Sequence, residues 1–315
     1  MSREADMSLS LNARTRLLVV APHPDDESIA TGELILQVRQ AGGEVQILLL
    51  TNGDNNPWPQ RWVERRLRIG ADERRRWGER RRTEVTQALA QLGVTGEALQ
   101  PLGWPDMGIT RRLCDQLDAS VEMVVQCLEA FRPTLVALPA LGDHHPDHGA
   151  AHVLTRLAVA GADGEAPRML AYLVHGQEVT GKGRVKLDSS VGIHATKMAA
   201  LACHRSQMAL SGKRMRRLAD RGERYQAVRG TSVAAESAVL PWQPSRLLQR
   251  WLRLTLVDER GVRQWPWRQA PLSMDGQGRY VLHGLDPAAP GPRFLKLHMN
   301  LPSPWIFDRW GWCEL

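Results

Sequence analysis

The sequence predicts an α/β fold: a Rossmann-like, mostly parallel sheet with helices on both faces, followed by a small C-terminal β-rich appendage. Three observations carry that expectation. Apolar runs such as Leu17-Leu18-Val19-Val20-Ala21 do not alternate with polar residues, as expected of strands buried on both faces. Segments of helical period separate these runs, giving strand, crossover helix, strand. After about residue 235 the composition shifts, and short β-like runs alternate with Gly/Pro turns.

Taken in order, residues 1–14 are polar and expected to form a flexible N-terminus. Residues 16–21 read as a strand, and 28–40 as a helix closed by Gly42-Gly43. Residues 44–51 read as the second strand, followed by the turn-rich Asn52-Gly53-Asp54-Asn55-Asn56-Pro57. An Arg-rich segment, 61–82, leads into a helix ending at Leu92-Gly93. A short strand at 99–102, a helix at 115–131, a strand at 134–138, a helix at 150–160 and a strand at 169–174 continue the alternation. Helices are expected at 195–203 and 213–225. Residues 15–235 are therefore read as one α/β domain. Residues 236–315, with seven of the eleven tryptophans, are read as a β-rich extension in which those rings mainly fill a small core.

Composition narrows the function classes. The net charge of +7 and pI near 9.7 favour anionic partners without naming one. Four scattered cysteines lack Cys-x-x-Cys spacing, which fits reduced thiols better than a disulfide framework. No stretch reads as a signal peptide or a membrane span, so the expected location is cytoplasmic, with any membrane contact peripheral at its inner face. The Arg-rich segment contains enough acidic residues to read as a solvated helix face, and no nucleic-acid partner is expected.

Two polar clusters carry the chemistry. His23-Pro24-Asp25-Asp26-Glu27 follows the first strand, and Asp143-His144-His145-Pro146-Asp147-His148 follows the strand at 134–138. In an open α/β sheet both should lie on the rim outside the carboxyl ends of the strands, where ligands bind. Histidine and aspartate together suit Zn²⁺, and two His plus one carboxylate leave a position for water. Taken alone, Asp-Asp-Glu before a helix is also good N-capping. Two such clusters after separate strands reinforce the metal reading.

His-Pro-Asp-Asp-Glu at 23–27 with Asp-x-His-x-Asp-His at 143–148 resembles the PIG-L/LmbE-like zinc-dependent N-deacetylases. Thr51-Asn52-Gly53-Asp54, Arg81-Arg82-Thr83-Glu84, Leu102-Gly103-Trp104-Pro105-Asp106 and Lys197…His204-Arg205-Ser206-Gln207 extend the resemblance over residues 15–210. It implies His23, Asp26 and His148 as metal ligands and Asp25 as general base. His145 would be the protonated electrophile, with Asp147 orienting it or tuning its pKa. Arg81 and Asp106 match sugar-contacting positions, and Asn52 lies on the expected rim; all three are substrate-binding candidates. The resemblance implies Zn²⁺, with Fe²⁺ or Co²⁺ accepted by the same ligands, and an N-acetylated amino-sugar substrate. The basic segment points to an anionic or lipid-linked form of it. Glu27 is expected to support the loop, and His144 to be a bystander. A metal-dependent phosphoesterase and a non-catalytic glycan- or membrane-surface-binding protein are the rival readings.

Overall fold

The computed structural model describes residues 9–176, 183–228, 236–289, 291–299 and 309–315. Residues 1–8 of the expected N-terminus, the boundary expected near 235 and Trp305 lie outside these. A seven-stranded sheet organises the first part. Its strands are β1 (Arg16–Ala21), β2 (Glu44–Thr51), β3 (Leu99–Trp104), β4 (Leu135–Pro139), β5 (Arg168–Tyr172), β6 (Arg184–Lys186) and β7 (Arg224–Val228). The spatial order is β3-β2-β1-β4-β5-β7-β6. The first five are parallel, and β7 pairs antiparallel with both β5 and β6.

The unbroken apolar runs have a direct structural cause. Leu17, Val19 and Ala21 enter one core and Leu18 and Val20 the other, because successive strand side chains point to opposite faces. Helices α1 (Asp26–Ala30), α2 (Gly32–Gln40), α3 (Pro57–Glu64), α4 (Ala71–Gln91), α5 (Ile109–Asp115), α6 (Leu117–Phe131), α7 (Pro146–Gly161), α8 (Val191–Ala202) and α9 (Arg205–Ala219) complete this part. Val85, Ala88 and Leu89 of α4 pack on the first core. Val124 and Leu128 of α6, with Val153 and Leu154 of α7, pack on the second. No helix among the described residues is long and apolar enough to cross a membrane.

One expected helix is corrected. The spacing predicts a helix over 213–225, whereas α9 ends at Ala219 and the chain enters β7 at Arg224. Gly222, at φ 69°, turns the chain there. Glu223 is then drawn inward to accept the backbone N–H groups of Glu33 and Leu34 at 2.7 and 2.9 Å, capping α2 from another element. A long-range cap of this kind has no local sequence signature.

The C-terminal part contains β8 (Ser237–Val239), β9 (Leu252–Asp258), β10 (Gly261–Pro266), β11 (Leu272–Met274), β12 (Tyr280–His283), β13 (Phe294–Met299) and β14 (Trp312–Glu314). They form two antiparallel sheets, β10-β9-β13-β14 and β11-β12-β8. Trp242 and Trp267 fill a core there with Leu252, Leu254 and Leu282. Val257, Phe294 and Trp312 instead join the second core of the α/β part. Arg156 of α7 donates to both Glu314 carboxylate oxygens, at 3.0 and 2.7 Å, a bidentate geometry. The appendage therefore braces the helix that carries His148.

Gly149, next to His148, is where the brace is tightest: a Cβ there would lie 2.7 Å from Trp312 Cδ1. Gly161, at the far end of the same helix, has open space around its Cβ direction. Gly149→Ala is therefore expected to destabilise by about 1–3 kcal/mol through overpacking, despite better helix propensity. Gly161→Ala should be neutral or stabilising by up to about 1 kcal/mol. Chemical denaturation of the two variants measures this, and equal shifts would contradict the brace.

Candidate metal centre and active site

The strand order reverses between β1 and β4, so the chain leaves those two strands in opposite directions and opens a crevice at their carboxyl ends. The two polar clusters meet there. Thr51 closes the ends of β1 and β2 by donating its N–H and Oγ1–H to Pro22 O, at 3.0 and 2.8 Å. The next residue is His23, 8% exposed.

Asp26 Oδ2 lies 3.3 Å from His23 Nδ1 and 3.3 Å from His148 Nε2, joining the two halves of the site. It also accepts the His23 backbone N–H at 2.9 Å. His148 is fully buried on α7, and its other ring nitrogen lies 3.1 Å from Asp143. Asp143 in turn accepts the backbone N–H groups of His145, Val174 and His175 at 2.9, 3.0 and 2.9 Å. This places a carboxylate behind a candidate metal-binding histidine, the arrangement that fixes ring orientation in metal sites. Sequence reasoning gave Asp143 no role; it was the one acid of the second cluster left without a partner, and that was the available signal.

Asp25 has φ 143° and ψ −22°, a backbone conformation costly for any residue with a Cβ. Its neighbours hold it there. Its N–H donates to Glu27 Oε2 at 3.0 Å, and Glu27 Oε1 lies 2.9 Å from His204 Nε2. Glu27 thus supports the loop, and His204 is the second support. From the other side, Arg81 donates to Gly53 O at 2.6 Å, Pro24 O at 2.5 Å and Asp25 Oδ2 at 3.0 Å. Gly53 must lack a side chain, since a Cβ would sit 1.7 Å from Arg81 Nη1.

These contacts show where three of the expected site residues lie. Arg81 lines the cleft, with Nη1 on Gly53 O of the loop after β2 and Nη2 on Pro24 O and Asp25 Oδ2 of the loop that carries Asp25. Asn52 packs its Cβ beside Gly78 of α4 and does not line the cleft; Asn55, three residues on, does. Asp147 does not orient His145 through its carboxylate. That carboxylate accepts Met107 N–H at 2.7 Å and Ile109 N–H at 3.0 Å and lies 3.3 Å from His23 Nε2. It is the backbone N–H of Asp147 that donates to His145 Nδ1, at 3.3 Å. Asp106 does reach the cleft: Oδ1 lies 3.3 Å from His23 Nε2, and Oδ2 accepts Asn55 N–H at 2.9 Å. His144 takes no part in the cluster.

The electrostatics follow from four buried carboxylates around two histidines. Burial opposes a charged imidazole at His148, but Asp143 and Asp26 outweigh it and raise its pKa to about 10. His23 is likewise raised against burial by Asp106, Asp147 and Asp26. His145 goes the other way, lowered by burial and by the charges of His23 and His148. With His145 Nδ1 accepting the Asp147 N–H, Nε2 is the ring nitrogen left to carry a proton. Burial is also the main cause raising Asp25 to about 6, opposed by Arg81.

The donor set fits a divalent cation. Ring nitrogens of His23, His145 and His148 lie within 4.8 Å of one another. Those of His23 and oxygens of Asp106 and Asp147 form a second such group. Asp26 belongs to neither group but lies 3.3 Å from a ring nitrogen of both His23 and His148. Asp26, Asp106 and Asp147 each accept at least one backbone N–H, as does His145 Nδ1. A pocket that raises two histidine pKa values has an excess of negative charge suited to a cation. A cleft of about 270 Å³ opens at the site, lined by Asp25, Asp106, His145, Trp58, Gln207 and Arg214 among others.

A buried His–carboxylate cluster lies at the switch point of this sheet. Residues 18–159 match the family described as PIG-L: GlcNAc-PI de-N-acetylase. A curated relative from Mycolicibacterium smegmatis, named 1D-myo-inositol 2-acetamido-2-deoxy-alpha-D-glucopyranoside deacetylase, is 32% identical over 166 residues, covering 49% of this chain and 56% of that protein. The chain thus spans about half the length of the curated relatives it matches. The N,N'-diacetylchitobiose deacetylase of Pyrococcus horikoshii shares the fold at TM-score 0.51 and 19% identity, over 68% of this chain and 83% of that one. The 4-carboxy-2-hydroxymuconate hydratase of Pseudomonas putida KT2440 does so at TM-score 0.52 and 18% identity, over 69% and 98%. The fold alone therefore does not decide the chemistry.

If Arg81 positions the base, Arg81→Lys should lower kcat by roughly 10–100-fold while KM stays within about twofold. A raised KM with unchanged kcat would return Arg81 to substrate binding.

Proposed function

We propose that this chain is a metal-dependent hydrolase that removes the N-acetyl group from an N-acetylated amino sugar or glycoconjugate. The observation that carries the reading is Asp26 Oδ2, 3.3 Å from both His23 and His148, at the base of a cleft that also exposes Asp25. The family description and the name of the M. smegmatis relative support the same reaction class.

His23, Asp26 and His148 would hold the ion. Bound there, Zn²⁺, or Fe²⁺ or Co²⁺ on the same donors, supplies polarisation of the amide carbonyl and lowers the pKa of water towards about 7. Asp25 accepts the proton of the attacking water. Arg81 and Glu27 hold that carboxylate and its strained backbone in place. His145 donates Nε2–H to the oxygen that gains charge as the carbonyl carbon becomes tetrahedral. Asp25 then returns its proton to the leaving amine, completing a balanced hydrolysis to acetate and free amino sugar.

The substrate is taken to be an anionic or lipid-linked saccharide, on the strength of Arg214 and Trp58 along the cleft. The four free cysteines support a reducing, cytoplasmic setting. A two-metal phosphoesterase would need bridging carboxylates with free oxygens. Asp147 and Asp106 come near His23, but three of their four oxygens accept backbone N–H groups.

Incubation with N-acetylated sugars, free and conjugated, should release acetate; chelation should abolish release and Zn²⁺ restore it. Asp25→Asn should lose roughly 10²–10⁴-fold in rate with one metal ion per chain retained. Full activity in that variant, or two ions per chain, would overturn the assignment.

A further inference from the structure

Nearly all of the chain's net charge of +7 comes from one stretch: residues 61–82 carry ten arginines against four acidic residues. Large apolar side chains stand in solvent beside it. Trp58 is 63% exposed, Trp62 66%, Val63 36% and Leu67 88%. Trp58 and Trp62 lie one turn apart on α3 and share a face, while Pro59 and Gln60 are buried on the other side. That inner side is anchored. Gln60 donates to Glu73 O at 2.7 Å, Arg76 pairs with Glu64 at 2.7 Å, and Arg66 pairs with Glu73 at 2.8 Å. Among the described residues no carboxylate lies within ion-pair distance of Arg61, Arg65 or Arg68, and the Arg61 guanidinium lies 5.0 Å over the Trp58 ring. Trp58 also lines the cleft, so this patch forms part of its mouth.

We propose that α3 and the turn after it dock on an anionic phospholipid bilayer, setting the mouth of the cleft against the headgroups. Indole rings settle at the boundary between headgroup and acyl chain, and arginines meet the phosphates. A nucleic acid would satisfy the arginines but give Val63 and Leu67 no apolar partner. A second copy would set arginine against arginine. Docking does not depend on the reaction proposed above. It would let a lipid-linked headgroup enter without leaving the bilayer.

The test is sedimentation of the full chain with phosphatidylcholine vesicles, with and without phosphatidylglycerol, at low and physiological salt. Two double variants accompany it, Trp62→Ser with Leu67→Ser and Arg65→Gln with Arg68→Gln, checked for folding by circular dichroism. The expected result is binding that requires phosphatidylglycerol and weakens with salt. Each arginine removed should weaken it about fivefold, so the arginine variant should lose about 25-fold. The apolar variant should lose about tenfold or more. Absence of binding to the anionic vesicles, equal binding to both compositions, or binding unchanged in both folded variants would overturn the proposal. So would a dimer in light scattering that the apolar variant dissociates and that ignores vesicles. Should either variant fail to fold, the composition and salt dependence of the unaltered chain still decides.

Discussion

Asp26 Oδ2 sits between His23, from its own loop, and His148, from a helix more than a hundred residues away. An ionised carboxylate at 2% exposure is costly unless cations surround it. Here Asp143, Asp147 and Asp106 add further buried negative charge, against few permanent cations. The pocket answers by raising the pKa values of His23 and His148 against the opposing effect of burial. A divalent ion would supply that positive charge without the two protons. The shape of the surrounding loops follows from keeping these carboxylates apart and satisfied.

That accounting explains why so many backbone groups point inward. Asp143 is held by three N–H groups and Asp147 by two, so each carboxylate is fixed before any ligand arrives. Asp25 is fixed by different means: a strained φ held from both sides by Glu27 and Arg81. Strain at a proposed base, over-determined by its neighbours, is a form of preorganisation. The C-terminal sheets extend the same logic outward, with Trp312 against Gly149 and Glu314 on Arg156 steadying the helix of His148.

The βαβ pattern and the two clusters were legible because both are local signals: buried runs, helical period, and polar residues directly after strands. Residues far apart in the chain were not legible in the same way. The residue type of Arg81 suits a sugar or phosphate, and its three contacts to two loops have no local sequence signal. Asp147 looked like the partner of the adjacent His145, but the loop at 107–109 captured its carboxylate. The helix expected over 213–225 failed at Gly222, where Glu223 leaves to cap α2. Asn52 and Asn55 could not be told apart without the turn at Gly53 that decides which faces the cleft.

The proposed chemistry depends on which atoms take the metal. A crystal structure of the Zn²⁺-loaded chain tests that directly. The prediction is a single ion bonded to His23, Asp26 and His148 at about 2.0–2.2 Å, with Asp143 behind His148 and Asp25 facing the open position without bonding the ion. An ion held instead by His145, or by Asp106 and Asp147 with Asp26 left outside, would contradict it.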